Sequence, residues 1–166
     1  MHVTIWRHGQ AGMAASDRLR ELTAQGRDDV GFGCHQFHQH CESRGIEHPA
    51  LILFSEWVRT TQTAEIIANA FNHARLQRCP ALIPGRSVED VDTELEALLE
   101  ANKEAHVILV SHQPLVSMLV DHYLAAPGSV PPLVPGGQAT LELEVAGRGC
   151  GSLCFSAQPP GYEAWQ

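Results

Sequence analysis

The sequence predicts an α/β protein with a mostly parallel central sheet, helices on both faces and a hairpin at the C-terminal edge. Three observations carry this. Short, uniformly apolar runs recur along the chain, as strands buried on both faces do. A segment of helical periodicity follows each, and such alternation implies parallel strands joined by crossover helices. The C-terminal segment then changes to an every-other-residue pattern around a Gly-rich turn, the signature of a hairpin.

The first strand spans Val3 to Trp6. Thr23 is then placed to cap a helix whose Val30, Cys34, Phe37 and Cys41 share one face, although Gly31 and Gly33 weaken it. The second strand is Ala50 to Phe54, and Ala64, Ile67, Ala68 and Phe71 form the apolar face of the helix behind it. The third, Leu76 to Ile83, is weaker. Ser87 and Asp90 beyond it resemble a capping box, and Val88, Val91, Leu95, Leu98 and Leu99 mark one helical stripe. The fourth strand is His106 to Val110; its helix opens at Pro114, where a missing N–H costs nothing, and runs through Leu115, Val116, Leu119, Val120 and Tyr123. Pro127 to Gly137 reads as a loop over one end of the sheet. In the tail, Leu141, Leu143 and Val145 alternate with Glu142 and Glu144, Gly147 to Gly151 turns, and Leu153 and Phe155 resume the alternation.

At 166 residues, 44% apolar and 18% charged, the chain fits one globular domain over residues 1–166. Eleven basic against nineteen acidic residues leave a formal charge of -8, with no run of Lys and Arg, so binding to nucleic acid or anionic lipid is not expected. Trp6, Trp57 and Trp165 are too dispersed to stack bases. The five cysteines, Cys34, Cys41, Cys79, Cys150 and Cys154, contain no CxxC pair and read as reduced structural thiols. The N-terminus lacks a basic segment followed by an apolar one, and no apolar run approaches the roughly 18 residues of a membrane span. A soluble, cytoplasmic monomer is expected.

In open α/β sheets ligands gather beyond the carboxyl ends of the parallel strands, beside helix N-termini that favour anions. There the first strand delivers Arg7, His8 and Gly9, the second Ser55 and then Arg59, and the fourth Ser111 and His112. Arginine forks match phosphoryl oxygens and stay charged at neutral pH, while a neutral imidazole is a competent nucleophile toward phosphorus. Gly9 would leave room for a phosphoryl group, and a protonated His112 could join the arginines in stabilising the equatorial oxygens. This chemistry needs no metal or other cofactor. Each residue alone has a plainer reading: Arg-His-Gly as chance, His112 as a core or capping histidine, Arg59 as a solvated helix residue. Their independent arrival at one sheet end argues for a site.

Arg7-His8-Gly9, then Asp17, Arg20, Leu22-Thr23 and Gly26, then Ser55-x-x-x-Arg59-x-x-Gln62-Thr63-Ala64, then Val110-Ser111-His112-Gln113-Pro114-Leu115-Val116 resemble the histidine phosphatase superfamily. The likeness is greatest to its short branch, the SixA-type phosphohistidine phosphatases. It spans Met1 to about Val120 and implies a phosphoglycerate mutase-like fold. It further implies a hydrolase in which His8 is transiently phosphorylated while Arg7, Arg59 and His112 bind phosphoryl oxygens, with Gly9, Ser55 and Arg20 around the substrate. A phosphorylated protein, such as a histidine phosphotransfer domain or carrier in signal transduction, is the implied substrate. Many family members have proline after the motif serine, alanine after its arginine and, in SixA-type chains, aspartate at position 10; here these are Glu56, Thr60 and Gln10.

Larger members also bring a carboxylic acid to protonate a leaving alkoxide. Glu56, Glu89 and Asp90 are candidates only by their position near loops, and each reads more simply as a solvated or capping carboxylate. Weak acid machinery fits a P–N substrate, whose imidazole leaves after protonation by solvent. A small-molecule phosphomonoesterase and a non-catalytic phosphoprotein-binding module are the alternatives. Asp17, Arg20 and Thr23 read as a local network fixing the loop after the first strand. In the histidine cluster His35 to His40, only His35 and His38 would share a helical face, with no evident partner to complete a metal site.

Overall fold

Strands β1 (His2–Arg7), β2 (Leu51–Phe54), β3 (Arg75–Arg78) and β4 (His106–Ser111) are parallel, and β5 (Gln138–Leu143) and β6 (Gly151–Ala157) are antiparallel additions. They form one sheet in the order β3-β2-β4-β1-β5-β6 in the computed structural model, which describes Met1–Gln166. Helices α1 (Ala24–Arg44), α2 (Val58–Ala70), α3 (Val88–Ala101) and α4 (Leu115–Leu124) connect the strands. The expected fold class, a mostly parallel central sheet with helices on both faces and an edge hairpin, is the observed one.

Successive side chains of a strand point to opposite faces, and this divides the interior in two. Val3, Ile5, Leu51, Leu53, Val107 and Leu109 pack toward α3 and α4, with Val91, Leu95, Leu115 and Leu119. Trp6, Ile52, Phe54, Ile108 and Val110 pack toward α1 and α2, with Val30, Phe37, Ala64 and Ile67. Each large apolar side chain so buried contributes roughly 1.5–3 kcal/mol, so the helices are held mainly by their inner stripes.

The capping signals act as the sequence suggests. Thr23 accepts the N–H of Gly26 at the start of α1, and Ser87 and Asp90 form a reciprocal capping box on α3. Gly31 and Gly33 do not interrupt α1. A Cβ on Gly33 would lie 2.6 Å from the ring of buried Tyr162, whereas one on Gly31 would meet nothing within 4 Å. Gly33 is therefore the notch that admits Tyr162.

Three expectations need correction. The third strand ends at Arg78, and Pro80–Leu82 is instead a 3-10 turn that buries Ala81 and Leu82. Pro80 has no N–H for a ladder, and all four residues of β3 are exposed at the sheet edge. Helix α4 begins at Leu115, with Pro114 as its cap. The hairpin strand β5 runs from Gln138 to Leu143, leaving Val145 exposed beyond it.

A buried histidine holds the other end of the sheet. His106 donates from Nδ1 to the Glu47 carbonyl (2.6 Å) and accepts at Nε2 from Thr4 (2.8 Å), whose Oγ1 also meets Thr140. Burial lowers its pKa to about 4, so it is neutral near pH 7.

Candidate active site

β1, β4 and β2 are neighbours in the sheet, so the segments leaving their carboxyl ends share one rim. The loop before β5 closes over that rim, as the sequence suggests: Gly136 N–H donates to the carbonyls of Arg7 (3.2 Å) and His8 (2.9 Å), and Arg7 N–H donates to Gly137 (2.9 Å). With His8 N–H donating to the Ser111 carbonyl of β4 (3.1 Å), the tip of β1 is held on both sides.

His8, Arg59 and His112 are brought together and largely enclosed, at 7%, 5% and 3% exposure. His8 donates from Nδ1 to the Gly9 carbonyl (2.7 Å), leaving Nε2 unprotonated to accept from Arg59 Nε (3.1 Å). Burial first, then the charges of Arg59, Arg7 and Arg20, lower its pKa to about 4 despite the bond to Gly9. The His112 ring lies 5.3 Å from that of His8, edge to face. Its Nε2 is bonded to Ser55 Oγ (2.8 Å), while its Nδ1 is buried with no protein partner. Burial, then His8 and Arg59, lower the His112 pKa to about 3, so the protonated His112 entertained from sequence is not the resting form.

Arg7 donates from Nη1 to the Leu133 carbonyl (2.9 Å), and its Nε is buried and unpartnered. Burial first, then the Arg59 charge, lower its pKa from the usual arginine value, as expected for two neighbouring guanidiniums. Arg59 is anchored on its outer side: Nη1 donates to the Asp17 carbonyl (2.7 Å) and Nη2 faces Asp17 Oδ2 (3.4 Å). The Trp57 ring lies 5.1 Å from its guanidinium carbon and meets His112 edge-on at 5.4 Å.

Gly9 has a different use from the one expected. Its N–H donates to Thr63 (3.1 Å), and an added Cβ would lie 2.9 Å from Val30 and 3.0 Å from the Gly26 carbonyl. The glycine serves close packing of the loop on α1, not room for a ligand. Ser55 is fully buried with its hydroxyl committed to His112. Arg20 binds the carbonyls of Gly12 (2.8 Å) and Ala11 (3.4 Å) and pairs with Asp17 (3.0 Å), while Thr23 bonds Gln10 (2.7 Å), so the local network read from the sequence is present. That network also reaches Arg59 through Asp17.

Thr63, Trp57 and Leu133 had no role in the sequence reading. Thr63 joins the Gly9 N–H to the Arg59 carbonyl (2.8 Å) and was visible only as part of a motif. Leu133 acts through its carbonyl, which no side-chain pattern reveals. Of the acid candidates, Glu56 pairs with Arg18 (3.0 Å), Asp90 is occupied in the α3 cap, and Glu89 lies in the first turn of α3. The histidine cluster splits: His40 meets the Tyr162 carbonyl (2.7 Å), His35 meets Gln39 (3.4 Å), and His38 faces Glu42 and His48, a carboxylate partner the sequence reading lacked.

A phosphohistidine phosphatase SixA homolog from Haemophilus influenzae is 31% identical over 124 residues, covering 72% of this chain and 75% of that protein. This chain belongs to the SixA-type histidine phosphatases. A solved structure of the protein histidine phosphatase SixA complexed with tungstate superposes on this family member with a TM-score of 0.80 at 31% identity, covering 96% of this chain and 97% of that one. A structure described as a putative phosphohistidine phosphatase SixA, from Agrobacterium tumefaciens, gives 0.70 at 22% identity over 95% and 98%, a likeness of fold. No family model matches the chain. No helix is long and apolar enough to cross a membrane.

Proposed function

We propose that this SixA-type chain removes phosphate from a histidine of a protein partner, a phosphotransfer domain or carrier, through a phosphorylated His8. One observation carries the reading: the unprotonated Nε2 of a neutral His8 imidazole lies in a cluster with the Arg59 guanidinium, with Arg7 Nε, a donor that has no protein partner, and with His112 Nδ1, likewise unpartnered and a donor when Ser55 Oγ–H donates to His112 Nε2. That is a nucleophile facing a preformed oxyanion cradle. The tungstate in the related SixA, a tetrahedral oxyanion, is in keeping with it.

The step balances without a protein acid. A substrate phosphohistidine, protonated by solvent on its free ring nitrogen, is attacked at phosphorus by His8 Nε2; its P–N bond breaks and a neutral imidazole leaves. His8 becomes a phosphoimidazolium whose Nδ1–H is held by the Gly9 carbonyl. Water then attacks phosphorus, the P–Nε2 bond breaks, and dihydrogen phosphate departs from neutral His8. Throughout, Arg7, Arg59 and His112 Nδ1–H meet the charge spread over the equatorial oxygens. Asp17 is the carboxylate beside Arg59, and Arg20 chiefly, with Arg59, holds its pKa below the usual range. It is a poor proton donor for an alkoxide, which favours a P–N substrate.

A protein partner is supported by exposed apolar side chains on the segments tied to the site: Met13 (97% exposed) and Leu19 on the one that carries Asp17, and Val134 on the one that carries Leu133. Turnover of a phosphohistidine protein compared with phosphomonoesters, in EDTA, tests the reading. Preference for the P–N substrate by the roughly 10²–10⁴-fold that a missing general acid represents is expected. Faster phosphomonoester hydrolysis would make it an esterase, and tight phosphoprotein binding without turnover would make it a binding module.

A further inference from the structure

The end of the sheet remote from the candidate active site carries a second histidine cluster, assembled from two elements. His38 and Glu42 are one helical turn apart in the last turns of α1. The chain leaves that helix through Gly45, in the left-handed conformation, and buries Ile46 before presenting His48 just ahead of β2. One ligating atom from each of His38, Glu42 and His48 lies within 4.8 Å of the other two. His38 Nδ1 is 3.7 Å from Glu42 Oε2, beyond hydrogen-bond reach, and the two imidazole centroids are 4.4 Å apart.

These rings are positioned without being satisfied. Phe71 backs both, stacked on His38 at 6.3 Å and tilted against His48 at 5.5 Å, and no hydrogen bond engages either ring. His73 lines the same recess. The negative end of the α1 dipole points toward the cluster, and the nearby cation Arg44 is turned away over Phe155. Two imidazoles and one carboxylate form the borderline donor set that suits zinc. Tetrahedral bonds of about 2.0–2.2 Å require the donor atoms to close up by only an ångström or so, a rotamer adjustment for half-exposed and exposed side chains.

We propose that His38, Glu42 and His48 form a zinc site that ties the end of α1 to the start of β2. It stands apart from the catalytic reading. The phosphatase residues gather at the opposite ends of the strands, so filling this site adds thermal stability without serving turnover.

The test is calorimetric titration of the metal-free, full-length protein with zinc chloride in phosphate-free buffer, alongside cobalt(II) absorption. One equivalent is expected to bind with a tetrahedral cobalt spectrum and a rise in Tm. His48→Ala and Glu42→Gln, both at exposed positions, each weaken binding by at least the roughly 10–100-fold that loss of even a supporting partner costs, and His8→Ala leaves it intact. Absence of zinc uptake, or uptake indifferent to His48→Ala and abolished by His8→Ala, would overturn the proposal.

Discussion

His8 and His112 are both buried imidazoles at strand ends, yet their partners separate their roles. Gly9 fixes the proton of His8 on Nδ1 and leaves Nε2 an acceptor, met by Arg59 Nε, whereas Ser55 engages Nε2 of His112 and leaves Nδ1 without a hydrogen-bond partner. Ser55→Ala should therefore lower kcat by unfixing His112, by up to the roughly 10²–10³-fold that loss of one oxyanion donor costs, with an unchanged circular dichroism spectrum. His8 also sets the acid limit of activity. The nucleophile is competent only while neutral, so kcat/KM should hold down to about pH 4 and fall as His8 protonates, not near the ordinary 6.5. A stopped-flow pH profile checks this; a break near 6.5 would mean that His8 is not shielded as described. The residue types of this site were legible in the sequence because Arg7, His8 and His112 stand at the ends of apolar strands and Arg59 one helical turn beyond Ser55, which follows another. Its partners were less so: the Leu133 carbonyl and the Asp17 contact to Arg59 depend on loops, and Gly9 looked like space for a ligand until its Cβ direction was known.

At the scale of elements, α1 shows how one composition hides two functions. Gly31 and Gly33 look alike in sequence, but only Gly33 faces Tyr162, whose hydroxyl bonds the Gly136 carbonyl (2.9 Å) in the loop holding β1. Gly31→Ala should stabilise the protein by about 0.5–1 kcal/mol through helix propensity. Gly33→Ala should destabilise it by about 1–3 kcal/mol through overpacking and also lower activity, because the loop over His8 shifts with Tyr162. Thermal melts of the two variants, with turnover measured in parallel, distinguish notch from accident. Helix stripes, the α3 capping box and the buried strands were readable because periodicity and caps are local. β3 was misread because its four residues are exposed at a sheet edge, where no apolar run is required, and the apolar residues after it belong to a 3-10 turn.

Across the whole molecule, His8, His106 and His112 are neutral in the fold with pKa values of about 4, 4 and 3, against 6.5 when unfolded. Between these limits the unfolded chain binds more protons, so stability rises with pH and is lost as pH falls from 6.5 toward 3. Urea midpoints should decline over that range, and Thr4→Val, which removes a His106 partner, should lower the midpoint at every pH. The fold's largest consequence is convergence: four groups spread from Arg7 to His112 meet only when β2, β4 and β1 lie side by side. Whether that meeting makes His8 a nucleophile is answered by rapid quenching with a partner protein carrying labelled phosphohistidine, followed by peptide mapping. An acid-labile, alkali-stable phosphate on His8, absent from His8→Ala, is the predicted result; label on any other residue, or turnover that survives His8→Ala, would contradict it.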